Sequence, residues 1–271
     1  MSVAWLDGAL TTMALCWRLD RADGVSIGFT AHDRDLTIGG VVYRASPGMV
    51  PSAIRQSDGF DVDTLDVEGA LTHDAITADD LTTGRWDGAA LTLFATDWTD
   101  PAETLIIARG EIGDVSIRDA AFTAELRGPT ALLERPVVEQ TSPDCRAQLG
   151  DRRCRVDLAA RTRFARIVSV AEEVLTLDTV EPSANAYAYG RLRWLDRDNA
   201  GLSAALLSSA GSTVTLRDPA PFAIAPGTLV ELLEGCDRLL ATCRTRFANA
   251  ANFRGEPYLP GIDLLTRYGT D

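Results

Sequence analysis

The chain has 271 residues, 46% of them apolar and 24% charged, which is enough for two cored domains and excludes wholesale disorder. No stretch approaches the roughly 20 apolar residues of a spanning helix. The start, Met1-Ser2-Val3-Ala4-Trp5-Leu6-Asp7, lacks a basic segment followed by an apolar one, so neither a membrane protein nor a classically secreted one is expected.

All 26 basic residues are Arg, and the formal net charge is −13. The charge is uneven. Residues 1–140 carry 23 Asp and Glu against 10 Arg, whereas residues 141–271 carry 16 against 16. Two units in different surroundings are implied. The acidic first half is poorly equipped to grip nucleic acid, which needs phosphate-neutralising cations.

In chain order, residues 12–19 and 25–30 flank Arg21-Ala22-Asp23-Gly24 and predict a hairpin. Residues 36–38 and 41–43 around Gly39-Gly40 predict a second. Residues 61–69 alternate acidic and apolar side chains, as a half-exposed strand would. Thr77-Ala78-Asp79-Asp80-Leu81 has the composition of a helix start that Gly84 stops. Short strands are expected at 89–96, 105–109, 114–117 and 121–126, and a helical turn at 129–134. Pro136 and Pro143 bracket the best linker candidate. Beyond it, 163–170 and 173–177 form a hairpin-like pair. The β pattern continues at 190–195, 202–207, 212–216 and 228–233, followed by a short helix over 237–247. No internal repeat is visible. The fold class expected is mainly β: two units of small β barrels or sandwiches with a few short helices, an acidic one at 1–138 and a second at 139–271.

Four of the five cysteines lie in the second half, as Cys145-x8-Cys154 and Cys236-x6-Cys243. Without a secretion signal, paired cysteines more often bind metal than form disulfides. Two pairs about 80 residues apart can close a four-thiolate site if a β domain folds between them. Thiolates suit zinc and iron–sulfur clusters. Structural zinc sites usually space paired cysteines by two to four residues, so spacings of eight and six are loose for zinc and better suited to a larger cubane. Arg146, Arg152, Arg153, Arg155, Arg238, Arg244 and Arg246 crowd the four positions, and their guanidiniums would offset a cluster's negative charge. Free buried cysteines beside an ordinary arginine surface stay open as the bland reading.

Other candidates are weaker. Cys16, between Leu15 and Trp17, reads as a small buried hydrophobe. His32-Asp33 and His73-Asp74 offer acid–base or metal chemistry on paper, but two histidines without a nucleophile signature read better as polar turns. Asp58, Asp61, Asp63, Asp66 and Glu68 lack the spacing and central Gly of an EF-hand and read as a solvated strand face. No phosphate-binding glycine loop is present.

The most specific segment is the end. It runs Gly235-Cys236-Asp237-Arg238, then Thr242-Cys243-Arg244, then Arg246-Phe247-Ala248-Asn249, then Asn252-Phe253-Arg254-Gly255-Glu256-Pro257-Tyr258-Leu259-Pro260-Gly261. Together with Cys145…Leu149-Gly150-Asp151…Cys154, Asp23-Gly24…Gly28-Phe29-Thr30…His32-Asp33 and Gly110-Glu111-Ile112-Gly113, it resembles the hub, or minor tail, proteins of long-tailed phages and gene transfer agents. The resemblance covers nearly the whole chain. It implies a non-enzymatic structural protein of the virion or gene transfer agent particle, assembled in the bacterial cytoplasm and placed at the tail tip. There it would be a homotrimeric ring joining the tail tube to a receptor-binding or penetration device. Its partners would be a distal tail protein and a tip or fibre protein, with DNA only as passing cargo. It also implies that Cys145, Cys154, Cys236 and Cys243 hold an iron–sulfur cluster of the [4Fe–4S] type. The competing classes are a zinc-binding module that touches nucleic acid and an iron–sulfur redox protein.

Overall fold

In the computed structural model, which describes residues 4–6, 11–46, 50–51, 64–70, 76–118, 121–128 and 138–259, short strands build two separate β units, Met1–Val137 and Val138–Asp271. The architecture is mainly β, with two short α-helices and a few 3₁₀ turns among the described residues. None of these helices is long and apolar enough to cross a membrane.

In the first unit, β1 (Met13–Asp20) and β2 (Ser26–Thr30) form the expected hairpin, with Cys16 opposite Thr30. β3 (Leu36–Ile38) and β4 (Val41–Ala45) form the second, turned by Gly39 and Gly40 at φ +56° and +81°, a left-handed pair that closes a two-residue hairpin without strain. β4 then runs parallel to β2, a long-range pairing that local pattern does not reveal. After β5 (Val50–Pro51) and β6 (Thr64–Ala70), helix α1 (Ala78–Thr82) is fixed by a capping box between Thr77 and Asp80.

β7 (Ala90–Asp97), β8 (Thr104–Arg118) and β9 (Ala121–Arg127) complete a nine-stranded sheet of order β3-β4-β2-β1-β7-β8-β9-β6-β5. The sequence pattern predicts two strands where β8 is one. A bulge between Ile112 and Val115 absorbs Gly113 without ending the pairing with β9. β1 and β7 bury both faces. Trp17, Leu19, Leu91 and Leu93 pack with Trp86 and Ile112 on one side, and Ala14, Cys16 and Phe94 with Leu36 and Tyr43 on the other. The expected turn at 129–134, Pro136, His73 and Asp58, Asp61 and Asp63 lie outside the described residues. For Asp66 and Glu68 only the backbone, in β6, is described.

The second unit is a closed six-stranded barrel of order β10-β11-β14-β13-β12-β15. Its strands are β10 (Thr162–Ala171), β11 (Val174–Leu177), β12 (Arg191–Trp194), β13 (Ser203–Ala210), β14 (Thr213–Leu216) and β15 (Leu229–Leu233). The barrel is an internal twofold repeat, which corrects the expectation of none. An offset of 39 carries Ile167, Leu175 and Leu177 onto Leu206, Val214 and Leu216, and an offset of 38 carries Leu192 and Trp194 onto Val230 and Leu232. All ten are core residues.

The repeat extends to irregularities. Both halves carry a bulge, at Val168 and at Leu207, and both need a left-handed residue before the third strand, Tyr189 at φ +61° and Gly227 at φ +84°. Side chains differ at most matched positions, and one residue of slip separates the two offsets. The repeat is therefore carried by pairing geometry and burial rather than by identity. Closure brings the two ends of the barrel together, and those ends carry the cysteines.

Candidate functional site

The four late cysteines sit just outside the barrel. Cys145 and Cys154 precede β10, Cys236 follows β15, and Cys243 lies in helix α2 (Leu240–Thr245). Backbone bonds sew these segments together. The Cys145 N–H donates to the Arg238 carbonyl at 2.9 Å, the Arg146 N–H to the Arg254 carbonyl at 3.0 Å, and the Glu256 N–H to the Ser142 carbonyl at 2.8 Å. Gly255 permits the last approach, since a Cβ there would lie 2.6 Å from the Asp144 carbonyl oxygen. Gly235 does the same beneath Cys236, where a Cβ would stand 1.9 Å from the Ala188 carbonyl oxygen.

The loop of Cys154 is organised by Asp151, whose carboxylate accepts N–H bonds from Gln148 (3.0 Å), Arg153 (2.8 Å) and Cys154 (2.7 Å). Burial pushes this carboxyl up, but the three N–H donors and the Arg153 charge outweigh it and hold Asp151 below the ordinary range. Donors also point at sulfur. The Arg254 N–H donates to Cys145 Sγ and the Arg238 N–H to Cys236 Sγ, both at 3.4 Å, and Asn249 Nδ2 lies 3.7 Å from Cys154 Sγ. Non-glycine residues in the left-handed region border the site: Arg155 after Cys154, Arg238 two past Cys236, and Ala248 before Asn249, at φ +62°, +63° and +48°. Such residues cost roughly 1–2 kcal/mol each and persist where the surrounding structure enforces them.

Three of the seven arginines around the cysteines, Arg146, Arg153 and Arg246, are paired with carboxylates. Arg146 makes a bidentate pair with Glu256 at 2.6 and 2.8 Å and reaches Glu139 at 3.2 Å. Arg153 also pairs with Glu139. Glu234, nearly fully buried, takes Arg246 at 3.0 Å and Arg161 at 3.4 Å, and both guanidiniums stack on Phe247. These pairs join Arg146 and Arg153 to the segments of Glu139 and Glu256, and Arg161 and Arg246 to Glu234 just after β15.

None of the five cysteines is disulfide-bonded. Burial pushes the Cys243 thiol up, and so do Cys145, Cys236 and Cys154. Burial also raises Cys236, against the Arg238 N–H bond and with Asp237, Cys145 and Cys154 adding to the rise. The four sulfurs thus share one electrostatic neighbourhood. Thiolates gathered in one place need a cation to coexist, and binding one would displace their protons.

Among the described residues no group of three or more His, Cys, Asp or Glu side chains is placed to hold a metal ion. Zinc would draw four sulfurs to about 2.3 Å from one point. A cubane gives each cysteine a different iron, so its sulfurs stand further apart. Four unbridged thiols with N–H donors aimed at three of them fit its chemistry.

The remaining candidates have structural roles. Cys16 is fully buried and donates to Thr30 Oγ1 at 3.4 Å, and burial raises its thiol. His32 Nδ1 accepts the Arg34 N–H at 3.1 Å and its ring tilts against Trp98, so it caps a turn. Asp151, Glu234, Asn249 and Glu256 were not singled out by sequence reasoning as partners of the site. The only signal for Asp151, Asn249 and Glu256 is position within the quoted motifs, and Glu234 lies just outside them.

The profile of the baseplate hub protein, N-terminal attachment domain, matches residues 2–157, more than half of the chain. The chain belongs to the baseplate hub family. A second profile, phage conserved hypothetical protein BR0599, matches residues 185–263. The hub profile contains Cys145 and Cys154 and the second contains Cys236 and Cys243, so the four-thiol site draws on both. Among solved structures, a chain described as the virion of a native gene transfer agent particle is similar with a TM-score of 0.85. It is 39% identical, and the match covers 99% of this hub chain and 95% of that chain. The comparison with curated proteins gives no match.

Proposed function

We propose that this hub protein is a structural virion component at the tail tip, forming a ring that joins the tail tube to a receptor-binding or penetration device and lets DNA pass. The observation that carries this reading is the end-to-end similarity to a chain of a gene transfer agent virion, joined to the hub-family match. Adjoining tail proteins are its partners, three copies close the ring, and its role is assembly rather than catalysis.

The four cysteines fit this role as a staple. A [4Fe–4S] cluster on Cys145, Cys154, Cys236 and Cys243 would tie the entry and exit of the barrel, and metal-binding free energy would count as folding energy. Arg146, Arg153, Arg161 and Arg246 already face carboxylates, which disfavours the nucleic-acid module. Electron cryo-microscopy of the assembled particle tests the reading. A threefold ring of this chain at the tail tip is expected. Its placement in the capsid, or as a monomer off the tail axis, would overturn it.

A further inference from the structure

Asn249 begins the 3₁₀ turn Ala250–Asn252, where an Asn side chain ordinarily caps the backbone, yet it makes no such bond. Its side chain is turned the other way. Nδ2 donates to the Cys154 carbonyl oxygen at 2.6 Å and lies 3.7 Å from Cys154 Sγ. Oδ1 accepts from Asn252 Nδ2 at 2.7 Å, which fixes the amide so that its donor end faces Cys154. The Asn249 backbone N–H donates to the Cys243 carbonyl at 2.9 Å. One half-buried residue thus grips a cysteine from before the barrel and a cysteine from after it. The left-handed Ala248 at φ +48° turns the chain so that both bonds form.

The other two N–H···S contacts come from backbone, of Arg254 and Arg238. Asn249 supplies the side-chain donor. We propose that Asn249 is a positioning residue of the four-cysteine site, which sets the placement of Cys154 and tunes the reduction potential of the cluster held there. The inference rests on the [4Fe–4S] reading above. A donor beside a thiolate ligand favours the more negative, reduced state, so its presence raises the potential and its loss lowers it.

The test uses full-length protein purified anaerobically, with potential read by electron paramagnetic resonance under redox titration and iron release read with a chelator. N249D removes the donor and adds a negative charge, N249L removes the donor alone, and N252A leaves the donor without its orienting partner. The midpoint potential is expected to fall in all three, most in N249D and least in N252A. Iron release from N249D and N249L is expected to be roughly 10–100-fold faster, as for other outer-shell partners of metal ligands.

Wild-type potential and release in loaded N249D and N249L would overturn the proposal. So would lower stability with an unchanged potential, the signature of a merely structural residue. If neither Asn249 variant folds, N252A decides, a lowered potential supporting the proposal and an unchanged one refuting it. Wild-type protein lacking iron and sulfide would instead overturn the cluster reading itself.

Discussion

Glu256 and Arg146 show how single residues hold the site together. The Arg146 guanidinium, then the Ser142 N–H, draw the Glu256 carboxyl from 4.5 down to about 2. A group depressed in the folded state contributes stability that is complete above its unfolded value and lost as pH falls through the folded one. The second unit should therefore lose thermal stability between pH 4.5 and about 2, with E256Q lacking this component and the two proteins converging at the acid end. A difference between them that does not vary with pH would contradict the assignment. The cysteines make a sharper contrast. Cys236→Ser should lower the melting transition of the second unit and leave the first in place. Cys16→Ser should move only the first, by about 1–3 kcal/mol, because the hydroxyl is buried but keeps Thr30 as a partner. Calorimetry showing the same transition affected by both would refute the division of roles. The cysteines could be picked out from the sequence because thiols in spaced pairs carry recognisable chemistry. Asn249 could not, since a loop Asn has many uses and its partner lies 95 residues away. Nor are the carboxylate partners of Arg146, Arg153 and Arg246 legible, because local arginine density does not show which carboxylate each one meets.

Strand positions are legible because their side-chain pattern is local: burial alternates along β3, β11, β12, β14 and β15. What local pattern could not supply was pairing over distance. The parallel β2–β4 contact, the continuity of β8 across Gly113 and the closure of β10 onto β15 all depend on partners far along the chain. The twofold repeat stayed hidden because class of residue, not identity, is repeated. Glycines mark where closure is tightest. Gly235→Ala would press a methyl against backbone at 1.9 and 2.2 Å, so it should cost about 3 kcal/mol or more. Gly211→Ala, at φ +59° with nothing within 4 Å, should cost only about 1–2 kcal/mol from its left-handed backbone. Urea denaturation checks the ranking, and equal losses would show that the close approach of Gly235 to Ala188 and Gly190 is not what constrains the barrel.

At the scale of the whole molecule, net charge and cysteine content both divide the chain near its middle, and two β units follow the same division. For a ring that passes DNA, a carboxylate-rich lumen would repel phosphates over about 8–10 Å at physiological salt. We therefore expect the first unit, whose residues 1–137 carry 22 Asp and Glu against 10 Arg, to face the channel. An Arg-lined or neutral wall in the structure of the assembled tail would refute that. The staple in the second unit is the claim on which the site's account depends most. Four unbridged thiols, three of them met by N–H donors, lie on segments brought together by a barrel that closes on itself. Elemental and acid-labile sulfide analysis of the anaerobically purified full-length protein tests it directly. Brown protein with about four irons and four sulfides per chain is expected. Colourless protein carrying one zinc per chain, or no metal at all, would contradict it.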